Sequence, residues 1–112
     1  MKKEFRVKSE MDFKKIFDKR QSKANKQFVI YYLEKENQTH IRVGLSVSKK
    51  LGNAVVRNGI KRKIRRAFHE LEGSFQTNYD IIVIARTPII DMSVEDIKKS
   101  LLHVAKLCQI MN

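Results

Sequence analysis

Three hydrophobic periods organise this chain. Ile41, Val43, Leu45 and Val47 alternate with Arg42, Gly44, Ser46 and Ser48 over residues 41–48, the two-residue period of a strand with one apolar and one polar face. Val56, Ile60, Ile64, Phe68 and Leu71 recur at steps of four and three, with Ala67 beside them. That spacing gathers them on one side of a helix over residues 53–71. Residues 80–86 form a nearly continuous apolar run ended by Thr87-Pro88, as in a strand buried on both faces.

The remaining elements follow from weaker signals. Residues 10–19 predict a short helix, with Ser9 placed to cap it and Phe13, Ile16 and Phe17 on one side. Residues 27–34 are β-branched and aromatic, hence a strand, and residues 36–39 make the turn after it. Ser93 to Asp96 form a variant capping box with Asp in place of Glu. It opens a final helix carrying Val94, Ile97, Leu101, Val104, Ala105, Cys108 and Met111. The order αββαβα predicts an α+β fold, an α/β sandwich on a small mixed sheet of three or four strands. At 112 residues this is one domain, 1–112.

Charge changes the picture. Lys and Arg number 24 against 12 Asp and Glu, a formal net charge of +12, and the distribution is uneven. Residues 49–66 hold eight basic side chains and no acidic one; residues 67–97 hold six acidic and one basic. On the predicted helix Lys61 and Arg65 flank the apolar stripe, Arg62 and Arg66 lie opposite it, and Arg57 starts at its border. Ordinary solvated faces mix signs, so that i, i+4 pairs form. Here Arg57/Lys61, Lys61/Arg65 and Arg62/Arg66 are like charges at that spacing. A helix that bears this repulsion suits an external polyanion, and nucleic acid phosphate is the usual one.

Catalytic chemistry is hard to find. His40, His69 and His103 fall in a turn and on two helices, none at ligand spacing from a Cys or another His. One cysteine, Cys108, excludes an internal disulfide and a Cys-cluster zinc site. Met1-Lys2-Lys3 has the charge of a signal n-region, but charged residues follow where an apolar segment would be needed. No stretch reaches transmembrane length, and the expected location is the cytoplasm. Phe13 and Phe17, one turn apart, have two readings: core packing, or a platform on which unpaired bases stack. Tyr31 and Tyr32 point to opposite strand faces, so one of them can join the phenylalanines. Ser46, Ser48 and Lys49 would then rim a groove for single-stranded RNA.

The stretch Leu45-Ser46-Val47-Ser48-Lys49-Lys50-Leu51-Gly52-Asn53-Ala54-Val55-Val56-Arg57-Asn58-Gly59-Ile60-Lys61-Arg62 closely resembles the signature of bacterial ribonuclease P proteins. The likeness extends through residues 12–17, 24–31 and 80–86. The resemblance implies an α/β sandwich with an uncommon left-handed βαβ crossover, against the general right-handed rule. It also implies a subunit of a ribonucleoprotein endonuclease, a hydrolase of tRNA processing. In that assembly a catalytic RNA, using Mg2+, removes the 5′ leader of precursor tRNA, and the protein alone is inactive. Carried over by position, Arg57, Asn58, Lys61, Arg62 and Arg65, with Arg66 beside them, would face the catalytic RNA. Phe13, Phe17, Val29 and Tyr31, with Ser46, would line the leader cleft, and Ser48, Lys49 and Lys50 would join the two surfaces. No catalytic or metal-binding residue on the protein is implied, and neither membrane nor DNA is an expected partner.

One departure stands out: the family motif usually has a basic residue where this chain has Gly59. Glycine inside a helix costs about 1 kcal/mol relative to alanine, and Lys63 is the candidate to replace the missing charge. Two other readings compete. One is a non-enzymatic RNA-binding protein of another assembly, such as a ribosomal protein. The other is a helix-turn-helix DNA regulator, which fits less well because a strand and loop, not a partner helix, precede the basic helix.

Overall fold

The computed structural model describes residues 6–112; the Met1–Lys3 start considered above lies outside them. Three helices enclose a four-stranded mixed sheet: α1 (Glu10–Asp18), β1 (Ser22–Ala24), β2 (Phe28–Glu34), β3 (Arg42–Ser46), α2 (Ala54–Leu71), β4 (Tyr79–Ala85) and α3 (Val94–Cys108). The strand order is β1-β2-β4-β3. β2 runs antiparallel to both β1 and β4, whereas β3 and β4 are parallel and joined through α2. The αββαβα reading thus holds, with one strand added. β1 was not foreseen because its three exposed residues show no apolar alternation; backbone pairing to β2 alone defines it.

Period-two alternation splits the sheet between two cores. Phe28, Ile30, Val43, Ile81 and Val83 face α2 and α3, joining Ile60, Ile64, Phe68, Leu101 and Val104 in the larger cluster. The other face carries a smaller cluster, in which Ile16 of α1 meets Val7 and Ile82. β4 is buried on both sides, which explains its unbroken apolar run.

Local chemistry sets the helix starts. Ser9 Oγ accepts the Asp12 N–H at 3.0 Å, Asn53 Oδ1 accepts that of Val56 at 3.0 Å, and Ser93 Oγ accepts that of Asp96 at 3.2 Å. The apolar stripe of α2 begins one turn later than the spacing predicts. Ile60, Ile64, Ala67, Phe68 and Leu71 are buried, but Val56 is 39% exposed. It lies against Gly52 instead of the sheet: a Cβ on Gly52 would stand 2.8 Å from Val56 Cγ1, and Gly52 has φ 144°. At the other end of the chain, α3 stops at Cys108 with Gln109 left-handed. Met111 therefore lies beyond the helix, bridged to Phe75.

An ionic cluster ties α1 to the sheet. The Asp80 side chain is 1% exposed, and Arg42, its neighbour across the parallel pair, grips it twice. Arg42 Nε donates to Oδ1 at 3.0 Å and Nη2 to Oδ2 at 2.9 Å. The same Nη2 donates to Asp12 Oδ2 in α1 at 3.1 Å. The Asp12 carboxyl is held below its ordinary range, first by the Ser9 hydroxyl and then, against its own desolvation, by Arg42. Removing one partner of a buried pair leaves a poorly compensated charge, at about 3–5 kcal/mol, since the one other cation shown at Asp80 among the described residues is the half-buried Lys35, 3.9 Å away. We therefore expect Arg42→Met to destabilise the protein by about that amount in urea unfolding. Adding Asp80→Leu should restore much of the loss; a double variant as unstable as the single one would show that the cluster is not the cause.

Candidate RNA interface

The cationic side of α2 has almost no internal use for its charge. Among the described residues, no carboxylate pairs with Lys61, Arg62, Arg65 or Arg66. Arg62 and Arg66 are exposed, and with Arg65 and His69 they line an open concavity of about 350 Å3. Arg65 is half-buried, and its Nε has no hydrogen-bond partner. Burial, and then the nearby charge of Arg6, push its guanidinium below the ordinary value. A phosphate here would meet guanidinium donors of Arg62, Arg65 and Arg66 that pair with no carboxylate among the described residues.

Two predicted cations differ. Arg57 is partly structural, since its Nε donates to the Gly52 carbonyl at 3.2 Å and so fastens the loop to the first helical turn. Lys63 cannot stand in for a charge at position 59, because its Nζ donates to the Met92 carbonyl at 3.0 Å. It belongs to the packing between α2 and the loop before α3. Asn58 is exposed, and a Cβ at Gly59 would meet only Arg62 Nη2, at 3.7 Å.

The opposite face of the sheet carries the aromatic residues. Under α1, cross-strand register sets out the rows Gly44–Ile82–Tyr31–Ser22 and Ser46–Ile84–Val29–Ala24. Tyr31, not Tyr32, joins the phenylalanines: its ring meets Phe17 edge to face at 4.9 Å between centroids. Tyr32 pairs with Tyr79 on the other face. Phe17 is 38% exposed and is not core; Ile16 holds α1 down. Phe13 is half-buried over Gly44, where a Cβ would stand 2.6 Å from its Cζ. Only glycine lets that ring lie on the strand, a close approach that the alternation of β3 did not reveal. Val29 and Ser46, both half-buried, share the next row.

Phe13 and Gly44 also line a cavity of about 140 Å3 with Arg6, Lys61 and Arg65. β3 is an edge strand, so this cavity wraps around the sheet edge and joins the aromatic face to the cationic helix. At the far end of the sheet, Ser48, Lys49 and Lys50 are exposed. Ser48 caps a short 3-10 turn, its Oγ accepting the Lys50 N–H at 3.0 Å. Ser48 and Lys50 border a broad concavity of about 790 Å3 with Ala24, Lys26 and Arg86. Lys26 and Arg86 were not singled out as site residues. Arg86, held by a 2.9 Å bond from its Nη1 to the Asn25 carbonyl, is the single basic residue between 67 and 97, a signal that could have drawn notice.

Among the described residues no three His, Cys, Asp or Glu side chains could together hold a metal ion. Burial pushes the Cys108 thiol up to about 11, so it is protonated and unreactive at neutral pH. Among the described residues no helix is long and apolar enough to cross a membrane.

Comparison with known proteins matches this arrangement to a single family. The family model for ribonuclease P matches residues 1–109. The ribonuclease P protein component of Listeria monocytogenes serotype 4a is 51% identical over 111 residues, covering 99% of this chain and 93% of that protein. A Staphylococcus aureus RNase P protein mutant, described as having defective mRNA degradation activity, superposes with a TM-score of 0.87 at 46% identity, over 96% of this chain and 91% of that one. The RNase P protein of Thermotoga maritima superposes at 0.82 with 28% identity, over 91% and 96%. With sequence, sheet topology and helix order all in agreement, the chain belongs to the ribonuclease P protein family, components of an endoribonuclease complex that processes tRNA.

Proposed function

We propose that this chain works in the cytoplasm as the protein subunit of a ribonuclease P holoenzyme with two RNA-binding surfaces. The cationic face of α2 docks on the catalytic RNA, through Asn58, Lys61, Arg62, Arg65 and Arg66, with Arg57 bracing the loop. The cleft beside α1, formed by Phe13, Phe17, Val29, Tyr31 and Ser46, takes the single-stranded 5′ leader of precursor tRNA. Ser48, Lys49 and Lys50 connect the two. The observation that supports this reading is the pairing of α2 cations that find no carboxylate among the described residues with an exposed aromatic edge on the opposite sheet face, joined around β3.

The division of labour follows from the chemistry present. Aromatic faces stack on any base and so bind a leader with little regard to sequence. Phosphate contacts fix position and carry most of the affinity. Leader capture of this kind tethers the precursor beside the RNA that cuts it. Hydrolysis itself, with the Mg2+ it needs, is assigned to the catalytic RNA, because the described residues offer no positioned nucleophile, acid or base.

Reconstitution tests the assignment. Protein and cognate RNA together should remove the leader at a single site, while protein alone should leave precursor tRNA intact at any magnesium concentration. The mRNA degradation activity implied for the S. aureus relative makes mRNA the second substrate for the protein-alone arm. Site-specific leader removal by protein alone would overturn the assignment of the chemistry to RNA.

The two surfaces should separate by mutation. Changing Lys61, Arg62 and Arg65 to Ala should weaken assembly with the catalytic RNA and flatten its dependence on salt, by about 0.7–0.9 in log–log slope for each lost contact. An unchanged slope would place these residues away from phosphate. Phe17→Ala should leave thermal stability nearly intact, since the ring is an exposed edge. Binding of leader-bearing precursor should weaken by about 1–3 kcal/mol, and that of mature tRNA should hardly change. Equal loss for both RNAs, with a large drop in melting temperature, would make Phe17 a packing residue.

A further inference from the structure

We propose that Arg20 binds a backbone phosphate of the single strand in the cleft, beside the Phe17–Tyr31 pair; the inference rests on the leader-binding reading above. Two observations single it out. Its φ is +57°, in the left-handed region that L side chains rarely enter and that helix ends normally fill with glycine or asparagine. Its backbone N–H bonds the Phe17 carbonyl at 3.0 Å and so closes α1. Glycine would perform that closure without strain. The side chain therefore contributes nothing to the turn that requires arginine.

Nor does it contribute to packing. Arg20 is exposed, and among the described residues it forms no side-chain hydrogen bond and no ion pair. Asp18, the nearest acidic residue in the chain, does not pair with it. Gln109 adopts the same conformation at the end of α3, away from the cleft, and Asn37 is of the type that tolerates it. Of the three non-glycine positions with positive φ among the described residues, Arg20 is the one whose chain neighbours carry the aromatic face. It lies three residues after Phe17 and two before Ser22, which is paired with Tyr31 across the β1–β2 ladder.

The chemistry fits a phosphodiester. Bases stacked on an aromatic platform leave their phosphates at its rim. A guanidinium is weakly hydrated and presents planar paired donors that match a phosphate's oxygens. Arg20 would add a guanidinium at the end of α1, beside the exposed Lys19 and separate from the cations of α2 on the other face.

The test uses reconstituted holoenzyme carrying Arg20→Gly or Arg20→Lys, with thermal unfolding of each protein. Affinity for leader-bearing precursor and for mature tRNA is measured across a range of salt concentrations. Arg20→Gly relieves the strained backbone, so it should unfold at or above the wild-type temperature. It should nevertheless bind the precursor several-fold more weakly, with its salt slope reduced by about 0.7. Mature tRNA should bind as before, and Arg20→Lys should keep most of the slope. An unchanged precursor affinity and slope in Arg20→Gly, or an equal loss with mature tRNA, would overturn the proposal. If wild-type holoenzyme itself fails to distinguish the two RNAs, the cleft reading falls and this one with it. If it distinguishes them and Arg20→Gly does so equally well, only the role of Arg20 falls.

Discussion

Asp80 points from the middle of the sheet toward α1, and its carboxylate is almost wholly removed from water. A charge in that position is tolerable only with a matched partner. Arg42 supplies it, and in reaching Asp80 also reaches Asp12. The consequence extends beyond local stability. α1 is nine residues long and buries only Ile16; a helix that short does not persist on its own in water. Beyond the burial of Ile16, its place on the sheet depends on two contacts: the ionic cluster near its start and the Phe13 ring lying on Gly44. Both fix the helix that carries Phe17 to the cleft edge.

On the other side of the sheet, stability and function pull against each other. The inner face of α2 packs Ile60, Ile64, Ala67 and Phe68 into the main core. Its outer face sets like charges one turn apart, and among the described residues no carboxylate pairs with Lys61, Arg62, Arg65 or Arg66. Each such pair costs a few tenths of a kcal/mol, and Arg65 bears desolvation as well. The inner face is what lets the outer one be so unfavourable. An isolated peptide of this sequence would repel itself, whereas packing of the inner face holds the charges of the outer one in register.

What could be read from the sequence divides along a physical line. Features set by neighbours a few residues apart were legible: helix periods, Ser9 and Ser93 as caps, the alternation of β3, the unbroken run of β4, and the charge density of α2. Features set by register across strands were not. Arg42 and Asp80 are 38 residues apart in sequence and meet only because β3 and β4 pair in parallel with one particular offset. Gly44 looked like one more small residue on a polar face until α1 was laid over it. Lys63 counted as an outward charge because its position on the wheel says nothing of the Met92 carbonyl it meets. Of the proposed site residues, those on α2 followed from periodicity, while for Phe13, Phe17 and Tyr31 the sequence left packing and stacking both open and only the family resemblance favoured a cleft.

The edge position of β3 then bears on how the two surfaces communicate. An edge strand leaves backbone groups open, and proteins usually cover such an edge. Here residues 6 and 7 do so, bridging to Val43, with Val7 N donating to its carbonyl at 3.0 Å. That cover brings Arg6 beside Lys61 and Arg65, at the cavity that Phe13 borders from the cleft side. The strand that carries Arg42, which anchors α1, therefore also separates the cations of α2 from the aromatic face by the width of one strand. Any shift of β3 would move both surfaces at once, so in the proposed complex the spacing between an RNA docked on α2 and a strand held in the cleft would be built into the sheet itself, without a flexible linker.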